Sequence, residues 1–335
     1  MLIKKFSYKI FYLENFSAHN INKKINQIDK LNRKEILIGS GVSEKIKDIN
    51  LIAHRTNLGN SFETLKYLND PKKIFSLLES KKIKIPEWSI KKPKNTAGWL
   101  IKNINSAGGT SVQNATTFSS KSNDNFYYQK FLKGKNISIQ FYVKKNKPQI
   151  LLACNQWTCP SKKYPYLMGG IVSTNLTPKL FSKIKEIIKV LCSLIEFNGF
   201  NSIDFLVSND IQPFIIDINP RPGLAINILY RIYGDSLFKK IKKKHSNGSK
   251  KFYCSSIVYS DKKIMINNKQ IKILKNFSKS KNFTELPTKD CLILKHQPVC
   301  LVHSSSFSEK AARKRVDKLS GFIINKLNNY NNINV

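Results

Sequence analysis

Apolar positions along this chain recur at two spacings, and the spacing changes several times. Behind Asp70-Pro71, the residues Ile74, Phe75, Leu77 and Leu78 fit one face of a helix. Asp70 can cap the first free N–H groups and Pro71 has the φ of a first helical position, so the pattern predicts a helix there, ending by Ile85-Pro86-Glu87. Thr177-Pro178 opens a longer helix, with Leu180, Phe181, Ile184, Ile187, Ile188, Leu191, Leu194 and Ile195 on one face, a pattern that reads as core packing. A short helix is predicted over 224–233 and a closing helix over 306–327.

Between these lie runs with the composition of strands. Residues 36–38 (ILI) end in Gly39-Ser40-Gly41, which reads as a tight turn or a phosphate loop. Residues 99–102 (WLIK) are a strand, 103–109 (NINSAGG) a small-residue loop, and 110–118 the returning strand. Strands follow at 126–132, 137–143 and 150–154, then a loop over 155–170 carrying Gln156, Trp157, Met168, Gly169 and Gly170. The runs at 254–259, 263–267, 270–274, 291–294 and 299–303 are also β-like, and no internal repeat is visible.

The chemistry concentrates in residues 199–223 (GFNSIDFLVSNDIQPFIIDINPRPG). Residues 203–208 and 211–218 are rich in Ile, Val and Phe, with Asn209-Asp210 between them as a turn signal. A two-residue turn sets Asp204 opposite Ile215 and points Asp204, Asp217 and Asn219 to one face, the carboxylates as diagonal neighbours roughly 7–8 Å apart. A three-residue loop would flip the parity. A carboxylate inside so apolar a run is costly unless it is paired or bound to metal, so the hairpin reads as a platform for divalent metal and phosphate. Lys102 stands at a strand end before a loop with two glycines, whose backbone can approach a ligand closely and offer N–H groups to phosphate.

Composition adjusts this picture only a little. The 335 residues suffice for two or three domains. No apolar run reaches membrane-spanning length, and the opening residues make a poor signal peptide. The net charge of +37 suggests nucleic acid, but the charge is nearly all Lys, with only six Arg, and is spread along the chain. The one cluster, at 239–251, has no interleaved aromatics, which argues against nucleic acid. Six cysteines without metal spacing read as reduced thiols of a cytoplasmic protein, and none of the five histidines is assigned a catalytic role.

Taken together, GSG at 39–41, LGN at 58–60, NDP at 69–71, WLIKNINSAGG at 99–109 and DINPRPG at 217–223 resemble the ATP-grasp superfamily. With the late stretch at 286–302 they look closest to its predicted ATP-dependent carboligase branch, whose members occur near genes for methanopterin- or methanofuran-type one-carbon cofactors. The resemblance implies an α/β (α+β) ATP-grasp fold in which two lobes grip ATP. It implies a short N-terminal α/β domain over 1–68, a core over 69–235 divided near 126, and a β-rich segment with a closing helix over 236–335.

It also implies roles. Lys102 would contact the ATP phosphates, with Ser106, Gly108 and Gly109 in the mobile phosphate loop. Gln129, Lys130, Phe131 and Leu132 would form the hinge at the adenine. Asp204, Asp217 and Asn219 would hold Mg²⁺ or Mn²⁺, and Arg221 would steady an acyl phosphate or a substrate carboxylate. The implied reaction joins a small-molecule carboxylate to an amine, with a phosphotransferase or a plain ATP-binding protein as the alternative. Monomer and homodimer are both left open. The chain departs from the pattern at Pro71, where many members have Lys, and at Asp217, where the metal residue is usually Glu. Residues 136–143 (NISIQFYV) offer no acid for the ribose, and the N-terminal domain is short.

Overall fold

The computed structural model describes residues 17–31, 35–39, 55–104, 106–118, 125–237, 241, 250–288 and 290–329. Ser40 and Gly41, most of the lysine cluster at 239–251 and the Asn-rich tail lie outside the described residues.

Helix α1 (Ala18–Ile28) starts at Ser17, whose hydroxyl accepts the Asn20 N–H. The apolar run at 36–38 contributes one parallel bridge, Ile36 to Asn57. Helix α2 (Phe62–Leu68) leads into α3 (Pro71–Ser80), where the Asp70 carboxylate accepts from the Lys72 and Lys73 amides as its position in the sequence predicts. A four-stranded antiparallel sheet follows, built from β1 (Trp88–Ser89), β2 (Trp99–Asn103), β3 (Gln113–Asn114) and β4 (Phe126–Lys130) in the order β1-β4-β2-β3. The returning strand expected over 110–118 shrinks to Gln113–Asn114. Gly108 and Gly109 both have positive φ, and the hydroxyls of Thr110 and Thr117 bond back to the carbonyls of Ala107 and Asn114, which curls the chain instead of extending it.

The second lobe is one eight-stranded antiparallel sheet in the order β12-β14-β10-β7-β6-β5-β8-β9. Its members are β5 (Lys135–Lys144), β6 (Lys147–Thr158), β7 (Met168–Ser173), β8 (Gly199–Val207), β9 (Pro213–Asn219), β10 (Phe252–Tyr259), β12 (Phe283–Thr284) and β14 (Pro298–Ser306). Helix α4 (Pro178–Leu194) joins β7 to β8, α5 (Ala225–Tyr233) follows β9, and α7 (Glu309–Asn329) closes the chain. Strands β11 (Ile264–Ile266) and β13 (Cys291–Ile293) form a separate ribbon.

Two expectations fail in this lobe. The loop expected over 155–170 shortens to 159–167, because β6 runs on to Thr158 and β7 begins at Met168. Residues 270–274 (QIKIL) are helical, inside α6 (Asn268–Phe277). Asn267 and Gln270 form a capping box, and Ile271 and Leu274 are buried three residues apart. Five residues, Gln-Ile-Lys-Ile-Leu, do not separate the two periods, and the cap decides.

The pleat assigns the sheet two different faces. One carries Ile137, Ile139, Phe141, Ile203 and Phe205 against α4, and Val172, Cys254, Val258 and Val302 against Val316 and Ile323 of α7. The other carries Ser138, Cys154, Gln156, Asp204, Ser255 and His303, with Ala225 and Ile228 of α5 packed on Cys154 and Ile171. Cys154, Cys159, Cys192, Cys254 and Cys300 are free thiols. Among the described residues no helix is long and apolar enough to cross a membrane.

Candidate functional site

The acidic hairpin reaches its geometry through two irregularities. Asn209 and Asp210 do turn the chain, with the Ile211 N–H on the Ser208 carbonyl at 3.0 Å, but the loop includes Ile211, at φ 60°, before the Ser208 N–H meets the Gln212 carbonyl at 3.1 Å. This is the three-residue loop that flips the parity, pairing Phe205 with Ile215. A bulge at Ile216 then flips it back, so Asp204 stands opposite Asp217 and Ser202 opposite Asn219. The carboxylates share a face as the sequence suggests, but they are directly opposed rather than diagonal, with Cβ atoms about 4.5–5.5 Å apart.

Like charges placed directly opposite repel, and Asp204 registers this. Burial first and Asp217 second push its carboxyl up to about 6, while hydrogen bonds from Ser138 and Gln156 and the charge of Arg221 pull the other way. Gln156 Nε2 donates to Asp204 Oδ1 at 3.0 Å. Asn219 Nδ2 donates to Asp217 Oδ2 at 3.0 Å, which leaves the Asn219 amide oxygen for another partner. Two carboxylates and an amide oxygen are a donor set suited to a hard divalent cation. No third acid, His or Cys joins them among the described residues.

Lys102 crosses from the small sheet to this hairpin. Its Nζ donates to the carbonyl of the bulged residue Ile216 at 3.3 Å and lies 5.9 Å from the Tyr127 ring centroid. Burial lowers the Lys102 pKa, and Asp217 followed by Asp204 counteracts it.

The glycine loop closes over the same space. Gly108 and Gly109 have φ of 69° and 71°. The Met168 N–H donates to the Gly108 carbonyl at 2.9 Å, and a Cβ on Gly109 would fall 2.0 Å from the Tyr166 carbonyl oxygen. Tyr166 also donates through its hydroxyl to Asn114 Oδ1 at 2.9 Å and sets its ring 6.4 Å from that of Phe131. Ser106 is exposed and bonds to the Asn103 carbonyl at 3.0 Å. The cleft between Lys102, Gly108, Gly109, Asp217 and Arg221 measures about 140 Å³, below the roughly 300–1,000 Å³ of small-molecule sites, with the loop docked down on it.

At the hinge, Gln129 is 2% exposed and lies on the same face of its sheet as Lys102 and Tyr127. Its Nε2 is buried without a hydrogen-bond partner among the described residues. The N–H groups of Lys130 and Phe131 are already given to the carbonyls of Glu87 and Gly98, so these two positions have no backbone donor left for a nucleotide base. The Lys130 ammonium lies over Trp99, Phe131 is exposed, and Leu132 is half-buried beside it.

The structure thus gathers Lys102, Ser106, Gly108, Gly109, Asp217, Asn219 and Arg221 around one cleft, with Asp204 opposite Asp217 in the ladder and Gln129 on the face that carries Lys102. Sequence reasoning missed the hold of Gln156 on Asp204 and the latch made by Tyr166. Extending the alternation of the 150–154 strand by two residues would have put Gln156 on the acidic face.

Comparison with known proteins agrees with this geometry. Residues 68–224, the stretch that contains the glycine loop, the hinge and the acidic hairpin, match the ATP-grasp domain family. Similar solved structures include L-amino acid ligase from Bacillus licheniformis, at 11% identity over 91% of this chain and 82% of that one, with a TM-score of 0.64. Phosphoribosylamine–glycine ligase from Thermotoga maritima is 12% identical over 95% and 88%, with a TM-score of 0.63. An ATP-grasp superfamily protein from Archaeoglobus fulgidus is 16% identical over 82% and 80%, with a TM-score of 0.57. No curated protein sequence matches this one.

Proposed function

We propose that this chain is an ATP-dependent ligase that phosphorylates a substrate carboxylate and couples the acyl phosphate to an amine. The observation that carries the reading is Lys102 reaching across the cleft from one sheet to the bulge of the other, beside two opposed carboxylates. A lysine, an acidic pair and a glycine loop are what phosphoryl transfer needs, since its catalysis is mostly positioning and charge shielding. Two of the similar structures are named as ligases of amino-group substrates, which supports the amine half of the reading.

In this reading Asp204, Asp217 and Asn219 hold Mg²⁺, or Mn²⁺, which when bound supplies positive charge against the phosphates. Lys102 neutralises the transferring phosphoryl group, and the loop at Gly108 and Gly109 covers it and excludes water. Gln129 offers its unpartnered amide to the nucleotide. A carboxylate oxygen of the substrate attacks the terminal phosphorus and the bond to the bridging oxygen breaks, releasing ADP. The amine then attacks the acyl carbon, inorganic phosphate leaves with the C–O electron pair, and the amine nitrogen gives up a proton. Arg221 steadies the carboxylate and the acyl phosphate formed from it. Substrates in one-carbon cofactor biosynthesis are the finer form of this proposal, and the sequence resemblance alone supports it.

The test is ADP release by purified protein with paired panels of carboxylates and amines. Release that requires both partners and disappears in Lys102→Ala and Asp217→Ala supports the ligase. A phosphorylated product formed without an amine indicates a phosphotransferase and overturns it.

A further inference from the structure

The stretch at 58–60 (LGN) takes no part in the roles above, yet its asparagine is bonded into the loop that carries two of them. Asn60 is 3% exposed and its side chain is fully used. Its Nδ2 donates to Asn201 Oδ1 at 2.7 Å and to the Pro220 carbonyl at 2.8 Å, and its Oδ1 accepts the Asn198 N–H at 2.8 Å. The surroundings lock it in place. Asn57 Nδ2 donates to the Asn60 carbonyl at 2.7 Å, and Asn198 Nδ2 donates to the Gly59 carbonyl at 3.0 Å. Gly199, at φ +67°, comes so close that a Cβ there would fall 2.3 Å from the Leu58 carbonyl oxygen. Pro220 is the residue between Asn219 and Arg221. Its ring fixes φ, so the direction of its carbonyl sets how the chain leaves Asn219 and enters Arg221.

We infer that Asn60, from the segment before the ATP-grasp domain, is a positioning residue that sets the Asn219-Pro220-Arg221 loop for metal-nucleotide binding. The inference rests on the functional reading above. A buried amide satisfied at every atom is rigid, and groups bonded behind metal ligands commonly govern affinity by 10–100-fold. Leu65, in the helix that follows Asn60, lines the same cleft, so the N-terminal segment borders the site as well as bracing it.

The test compares Asn60→Ala with Thr64→Val in the full chain. Thr64 ties the same segment to the Glu196 carbonyl at 3.0 Å without touching Pro220, so it controls for loosening alone. The probe is the non-hydrolysable nucleotide AMPPNP, titrated with and without Mg²⁺. Asn60→Ala should weaken Mg-AMPPNP binding by about 10–100-fold and leave metal-free AMPPNP within about twofold, while Thr64→Val matches wild type in both. Should Asn60→Ala fail to fold, Asn60→Asp, which keeps the acceptor for Asn198, is read the same way. Wild-type binding in Asn60→Ala, or an equal loss in Thr64→Val, overturns the inference. Amide exchange over residues 217–223 reads the loop without nucleotide and should rise only in the Asn60 variant. If the wild type binds no nucleotide, the functional reading falls, and the exchange result still decides whether Asn60 sets this loop.

Discussion

One face of the large sheet carries buried polar groups at both ends, and the two ends treat them oppositely. At the β10–β14 end His303 is fully buried, with Nδ1 sharing a hydrogen bond with the Ser255 hydroxyl at 2.8 Å and Nε2 with that of Thr284 at 2.7 Å. Both ring nitrogens are satisfied by neutral partners, and burial depresses the imidazole to about 3, so it stays uncharged. At the β8–β9 end, Asp204 faces Asp217 across the ladder and is held above the usual carboxylate range. The first end is closed chemistry that specifies packing. The second keeps an unpaid electrostatic debt that a cation can settle, and a site left in that condition is a candidate for function.

The largest expected difference between the ends is in turnover. Lys102→Ala or Asp217→Ala should lower ATP-dependent turnover by about 10²–10³-fold, with melting temperature unchanged or raised because a desolvated or repelling charge is gone. A large loss of stability in these variants would put the two ends in one class. Next, Gly109→Ala forces a Cβ toward the Tyr166 carbonyl at a positive φ. It should cost the docked loop about 1–3 kcal/mol, seen as weaker Mg-AMPPNP binding with little change in melting temperature.

At the other end, His303→Ala strands the Ser255 and Thr284 hydroxyls and should destabilise by about 1–3 kcal/mol for each buried group left unsatisfied. Calorimetry should show the drop while nucleotide affinity per folded molecule stays at wild type. The smallest effect separates the ends by sign. His303 has a folded value of about 3 against an ordinary 6.5, so its stability is present above 6.5 and lost as pH falls toward 3. Asp204 has a folded value of about 6 against 3.8, so the native state is favoured while it is protonated and loses stability as pH rises from about 3.8 through 6. Melting curves from pH 3 to 8 without metal should lose the acid limb in His303→Gln and the fall between about 4 and 6 in Asp204→Asn. Parallel curves for the two variants would remove the contrast.

Much of the fold was legible because local rules and packing agree. The caps at Asp70 and Thr177 begin helices where their chemistry places them, and most of the apolar stripe behind each is buried, although Phe181 and Leu194 at the edges of the second stripe are exposed. What failed was local evidence too short to choose a period, as at 270–274, or a strand extended by pairing with its neighbour, as at 155–158. In the acidic hairpin the shared face was legible but the register was not. Asn209-Asp210 is a fair turn signal, yet nothing local announces that Ile211 would take a left-handed conformation or that Ile216 would bulge. Asn60 was equally silent, since its partners lie more than a hundred residues downstream.

The Ile216 bulge has a consequence for chain length. Loop and bulge each insert half a pleat period, and only their sum brings both acids back into phase. Shortening the loop by one residue therefore turns Asp217 away from Asp204 unless a second residue is deleted at the bulge. Tolerated length changes between Asp204 and Asp217 should come in even numbers, with odd ones silencing the cleft while the hairpin still pairs.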